Sequence, residues 1–234
     1  MTVKTNARIA GITFLVYIAA AFPAMVLFGR ATSAHGIAAK LAGIAQHATD
    51  VRISVILELV GALSALVLAV TLYAVTRRVD AELAMLAFTC RVVEGVSGAI
   101  GIKSSAKLLW LTTATGTNAP DAETVRIVAA TLLTGQAAGV TATFFAIGST
   151  LFSWLLLRGR MIPSPLAWLG VIGSVLLVVA LPLQFAGVIG GSGFGFIWLP
   201  VALFELTVGP WLIIKGVLCA GEAGGTNAIE PAAP

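Results

Sequence analysis

Charge is what this sequence has least of. Lys, Arg, Asp and Glu make up 10% of its residues, whereas an ordinary soluble domain carries roughly a quarter. So few charges cannot cover a water-soluble fold of 234 residues, which makes lipid the solvent for much of the chain. Histidine is scarce too. His35 and His47 are the only two, and both lie outside the apolar runs, which argues against a bis-histidine haem within a bundle and a histidine-rich metal centre. Cys90 lies inside an apolar run and Cys219 at the end of another, with no CxxC spacing. They read as small buried hydrophobes and imply neither a disulfide framework nor a zinc site. No Gly-x-Ser-x-Gly elbow and no His-Glu-x-x-His pair is present. The run 190–195, Gly-Gly-Ser-Gly-Phe-Gly, looks like a phosphate loop. It links two apolar segments without a preceding strand or a Lys-Ser/Thr ending, and reads as a flexible turn. No basic patch on a polar surface suggests a nucleic-acid partner. No cofactor is expected, and nothing in the chain asks for an enzyme.

Apolar length is what the sequence does have. It is 59% hydrophobic with a mean hydropathy of +1.02. A helix rises about 1.5 Å per residue, so a hydrocarbon core of ~30 Å takes about 20 apolar residues. Six stretches qualify: 9–28, 53–76, 83–102, 127–157, 166–189 and 196–218. The expected fold is therefore all-α, an integral membrane bundle of six transmembrane helices with short loops. One domain should occupy 1–220, with a short disordered tail at 221–234. The first stretch exceeds the ~7–15 apolar residues of a secretory signal, so Ala31-Thr32-Ser33-Ala34 is read as a loop instead of a cleavage site. The fourth is too long for the bilayer alone, and its Thr/Gly-rich first part should project above the membrane. Between the first two, Ile37, Leu41, Ile44 and Ala48 follow helical spacing with Lys40, Gln46 and His47 off the stripe, as in a short amphipathic helix resting on the membrane surface.

With a cytoplasmic N-terminus, the inner side holds Lys4, Arg8, Arg77, Arg78, Arg158, Arg160 and Lys215. The outer side then holds Arg30, Lys40, Arg52, Lys103, Lys107 and Arg126. The totals are nearly equal, but the Arg77-Arg78 and Arg158/Arg160 pairs sit in very short loops, where positive charge best resists translocation. Both termini are thus expected inside the cytoplasmic membrane. Glu94-x-x-x-Gly98 before Lys103 is echoed by Glu205-x-x-x-Gly209 before Lys215, the pattern an inverted repeat would leave, although apolar helices resemble one another by composition alone.

Four stretches carry a family resemblance. They are Ala7-Arg8-Ile9-Ala10-Gly11; Arg91-Val92-Val93-Glu94; Leu155-Leu156-Leu157-Arg158 through Ile162-Pro163 to Trp168-Leu169-Gly170; and Glu205 through Trp211-Leu212-Ile213-Ile214-Lys215-Gly216. In order and spacing the chain resembles the domain of unknown function 4386 family of prokaryotic multi-pass proteins. The resemblance implies a compact bundle in the cytoplasmic membrane and brings no established activity. It does not extend to the Gly-rich run at 190–195 or to the alanine-rich tail.

The informative residues are charges inside the apolar runs. Arg91 and Glu94 fall near the middle of the third stretch, on one helical face. Each central charge costs ~2.5–3.5 kcal/mol on an insertion scale, while the Leu, Ile, Val and Phe of this stretch together return only ~2.4–4.8 against ~5–7 for the pair. That face must turn inward. Gly95, Ser97, Gly98, Ala99 and Gly101 would allow close approach, and the expected partner is the sixth span, where Glu205 lies at similar depth. Glu58 would extend the cluster outward, with Gln136 and Gln184 nearer the outer mouth. An arginine bridging Glu94 and Glu205 can act as a helix clamp. One arginine cannot neutralise two or three carboxylates, however, and a surplus carboxylate in low dielectric favours holding a proton, as proton-coupled transport requires. Lys103 and Lys107 would snorkel to headgroups or line an anionic ligand site. The partners this suggests are the lipid bilayer and a small solute or proton; no protein partner is identified. A small proton-coupled transporter, a lipid or small-ligand pocket and a non-catalytic subunit docking a partner are the readings left open. A transporter needs a cavity reaching Glu94 or Glu205. A docking subunit needs an exposed small-residue face and a dry interior.

Overall fold

The computed structural model describes residues 1–114, 120–133, 136–190 and 194–218, with the backbone alone for 136–138. The expected tail, Cys219 and the centre of the Gly-rich run lie outside the described residues. The elements are α1 (Val3–Ala31), α2 (Ile37–Gln46), α3 (Ala48–Thr76), α4 (Ala81–Thr113), α5 (Ala122–Leu133), α6 (Gln136–Arg158), α7 (Ser164–Phe185) and α8 (Leu199–Ile214), with a 3-10 turn (Phe194–Trp198) leading into α8. Among the described residues there is no strand. Among those residues six segments are long and apolar enough to cross a bilayer: α1, α3, α4, the Gly139–Arg158 part of α6, α7, and Phe194–Ile214. The protein is an all-α, multi-pass membrane bundle.

Local chemistry sets the helix ends. The Thr2 hydroxyl accepts from the Thr5 amide at 3.1 Å to open α1, and the Asp80 carboxylate accepts from the Leu83 amide at 3.1 Å to open α4. At the end of α7, Gly187 takes a left-handed φ of +70°. The Gly187 amide then donates to the Gln184 carbonyl, and the Val188 amide to that of Leu183. This pattern stops the helix at Phe185, short of the expected residue 189. Helix α8 begins at Leu199, after the expected 196, with Pro200 in its first turn, where a missing amide proton costs nothing. Inside the spans, hydroxyls return to their own helix: Thr13 donates to the Ile9 carbonyl, Thr71 to Val67 and Ser174 to Gly170.

One boundary differs from its apolar run in a more telling way. Helix α4 continues past residue 102 to Thr113, because Lys103 and Lys107 interrupt hydrophobicity without interrupting helix propensity. Within the stretch expected at 127–157, α5 reaches Leu133 and α6 starts at Gln136, and residues 134 and 135 lie outside the described residues. Ala129 and Leu132 of α5 pack with Ile44 of α2, Leu108 of α4 and Ala31 and Phe28 of α1. Helix α2 is present, but its stripe ends at Ile44, since Ala48 already belongs to α3. Together α2 and α5 form a small apolar cap over one end of the bundle.

The six spans form a closed ring. Helix α1 packs on α3, α3 on α4, α4 on α6, α6 on α7, α7 on α8, and α8 back on α1. The closure is tight: a Cβ at Gly11 would lie 2.5 Å from the Gly209 carbonyl oxygen, so these glycines let the two backbones touch. One end of the ring gathers the N-terminus, the α3–α4 turn, the α6–α7 turn and the end of α8. There Arg158 donates to Asp80 at 2.9 Å, and the Leu218 amide donates to the Met161 carbonyl. The other end carries α2 and α5. Large apolar side chains such as Phe22, Leu63, Val70, Ile172 and Leu203 stay exposed around the outside, as lipid-facing residues must.

Candidate functional site

Helix α4 carries Arg91 and Glu94 one turn apart, with Arg91 about 15 Å and Glu94 about 20 Å along the helix at its standard rise. Both point into the ring, where Arg91 is 1% and Glu94 2% exposed. Nη1 of Arg91 donates to Oε2 of Glu94 at 2.7 Å, the short distance of a charge-assisted bond. Nη2 lies 3.8 Å from Oε1 of Glu205 on α8, within ion-pair range but too far for a hydrogen bond. The guanidinium carbon sits 4.9 Å from the ring centre of Phe145 and 5.9 Å from that of Tyr17, within the range of cation–π attraction, and the two rings are parallel to each other. The Tyr17 hydroxyl donates to the other Glu94 oxygen at 3.0 Å. Gly148 makes room for the arginine stem: a Cβ there would stand 3.1 Å from the Arg91 Cγ.

The structure therefore brings Arg91, Glu94 and Glu205 together, by a route the sequence did not suggest. Helices α4 and α8 were expected to pack through the small residues of α4. They lie across the ring, with no backbone packing between them among the described residues, and the long arginine side chain spans the gap. The small residues of α4 serve other neighbours. A Cβ at Gly95 would meet Leu66 and the Ala62 carbonyl of α3 at 2.9–3.0 Å, while Gly98 faces Ala62 and Thr141 more loosely. Gly98 and Gly209, paired in the echoed motifs, thus sit in unlike places.

The cluster is satisfied unevenly. Both Glu94 oxygens are hydrogen-bonded. Among the described residues, buried Arg91 Nε, Glu205 Oε1 and Ser149 Oγ have no hydrogen-bond partner. A void of about 10 Å³ lies beside Arg91 and Ser149 and is also bordered by Ser153, near the smallest volume that holds one water.

Glu58 stands apart from the arginine. Its carboxylate accepts from the Ser105 hydroxyl at 3.2 Å, and among the described residues no cation lies within ion-pair distance of it. What joins Glu58 to Glu94 is a cavity of about 700 Å³ with both residues in its wall. Tyr17 and Glu94 form one end. Phe28, Leu108 and Leu132 form the other, and these three also belong to the cap under α2 and α5. Ser97, Gly98 and Gly101 of α4 face this space. Lys103 and Lys107 are exposed and absent from the wall, and Gln184 is exposed; the Gln136 side chain lies outside the described residues. Among the described residues no group of three His, Cys, Asp or Glu is placed to hold a metal.

A family model described as Domain of unknown function (DUF4386) matches residues 9–216. The chain belongs to that family. No curated protein and no solved structure matches it. In this DUF4386 member, sequence reasoning missed Tyr17, Phe145, Ser105 and Ser149. Tyr17 had left a trace: it is one of two tyrosines, in mid-span, where a phenolic hydroxyl in hydrocarbon demands a partner.

Proposed function

We propose that this protein is a small proton-coupled carrier of the cytoplasmic membrane, with both termini on the cytoplasmic side. The observation that carries the reading is the cavity whose wall includes Glu94, because it connects a solute-sized space to a buried charge cluster. Such a volume lies within the ~300–1,000 Å³ usual for small-molecule sites. A docking subunit would instead present its small residues outward over a dry interior, and Ser97, Gly98 and Gly101 face the cavity. The grouping of Arg77, Arg78, Arg158 and Arg160 at the end that holds the N-terminus supports the orientation.

The mechanism rests on a count of charge. Arg91 serves two carboxylates, one at 2.7 Å and one at 3.8 Å. A proton on Glu205 leaves a neutral Arg91–Glu94 pair. Loss of that proton draws Arg91 toward Glu205 and loosens Glu94, whose bond to Tyr17 carries the change to the cavity wall. The titratable groups facing this cluster are Tyr17 from α1 and Glu205 from α8, with Glu58 of α3 further along the cavity. Helices α6 and α7 bring no ionisable side chain to this depth.

The test is aqueous access. Ser97→Cys, in a protein lacking Cys90 and Cys219, is treated in sealed vesicles of each orientation with membrane-impermeant methanethiosulfonates of either charge. Labelling should occur, at a rate that, divided by that of a water-exposed reference cysteine at the same pH to remove thiol ionisation, changes between pH 5 and 8 and loses that change in Glu205→Gln. No labelling from either side removes the carrier; a pH-independent ratio removes the proton coupling.

A further inference from the structure

The cavity wall also constrains what would occupy it. Among the described residues it contains two carboxylates, Glu58 and Glu94, and no Lys, Arg or His. Glu94 is already compensated by Arg91 at 2.7 Å. Glu58 is half-buried and, among the described residues, held only by the Ser105 hydroxyl, at 3.2 and 3.4 Å from its two oxygens. Negative charge is thus uncompensated at one end of the cavity, and removal from bulk water raises its demand for a counter-charge. Around it the wall is mainly apolar, with Met25, Phe28, Leu57, Leu108 and Leu132 beside Glu58 and the Tyr17 ring at the far end.

We infer that the cavity is a binding site for an organic cation with an apolar body, its charged head at Glu58 and Ser105 and its body lying toward Tyr17. The inference rests on the carrier reading and names the class of its cargo. An anion meets two carboxylates and no cation in the wall. A sugar-like solute would exchange many hydrogen bonds with water for a mainly apolar lining. A small inorganic cation would leave most of a 700 Å³ space unfilled. An amphipathic cation satisfies both the charge and the apolar wall. The Arg91 guanidinium repels a second cation from Glu94, which keeps the head at the Glu58 end.

Two probes of one shape and opposite charge decide it. Tetraphenylphosphonium and tetraphenylborate are titrated against the full chain in nanodiscs, with empty nanodiscs subtracted. Tetraphenylphosphonium should bind saturably and tetraphenylborate should not. Glu58→Gln should weaken the cation at least tenfold with an unchanged elution profile and melting midpoint. Gly61→Phe should abolish binding, because a Cβ at Gly61 meets nothing within 4 Å and its side chain would enter the cavity. Equal binding of both ions, or full cation binding by Glu58→Gln, overturns the inference. If neither ion binds while Ser97→Cys is still labelled from water, the cargo class fails and the carrier survives. If Ser97→Cys is unreactive as well, both fall.

Discussion

Replacing Arg91 with methionine sets two physical effects against each other. The side chain is 1% exposed and bonds Glu94 at 2.7 Å, so its loss strands Glu94 and Glu205 facing each other in a low-dielectric interior. Breaking a buried ion pair by removing one partner costs about 3–5 kcal/mol. Insertion of α4 as a single span moves the other way, since one central charge fewer saves about 2.5–3.5 kcal/mol on the insertion scale. Arg91→Met should therefore reach the membrane at least as well as wild type and then fold worse. The triple variant Arg91→Met, Glu94→Gln, Glu205→Met removes the whole ionic group while leaving Tyr17 an acceptor at position 94. Replacing an entire buried ionic group is often neutral or stabilising, so the triple should recover at least about 2 kcal/mol of the loss. Reversible unfolding in mixed micelles with increasing dodecyl sulfate measures both. A triple variant as unstable as Arg91→Met refutes the mutual dependence of these charges, because stranded carboxylates would then not be the cause.

The ring closure and the polar end make further predictions. Gly11→Ala should destabilise by about 1–3 kcal/mol, as overpacking does, because its Cβ would lie 2.5 Å from a backbone oxygen of α8. Gly29→Ala on the same helix, with nothing within 4 Å of the added Cβ, should be neutral or gain up to about 1 kcal/mol; the same unfolding assay compares them. At Asp80, the Leu83 amide first and Arg158 second hold the carboxyl below its ordinary value of 3.8. A carboxyl lowered on folding adds stability that is complete above its unfolded value and is lost as pH falls through its folded one. Asp80→Asn should therefore melt below wild type at pH 7, and the two curves should converge as pH drops below about 3.8, as melting midpoints across an acid series would register.

Much of this protein is legible in one dimension because the bilayer imposes a length. Twenty apolar residues make a span whatever their neighbours, so the six-helix class follows from composition and run length. The cost of a charge in hydrocarbon likewise marks Arg91, Glu94 and Glu205 as inward-facing before any fold is known. The apolar runs say less about where helices end, because Lys103 and Lys107 extend α4 by propensity, and a left-handed Gly187 stops α7 while the sequence is still apolar. Which helices adjoin is decided by packing alone. In the folded ring, α8 closes on α1 through Gly11 and Gly209, and α4 stays across from α8, leaving Arg91 to reach Glu205 by the length of its side chain. The cavity belongs wholly to that level of structure. Glu58 and Glu94 share a wall because α3 and α4 pack side by side, a relation that residues 36 positions apart in an apolar sequence do not record.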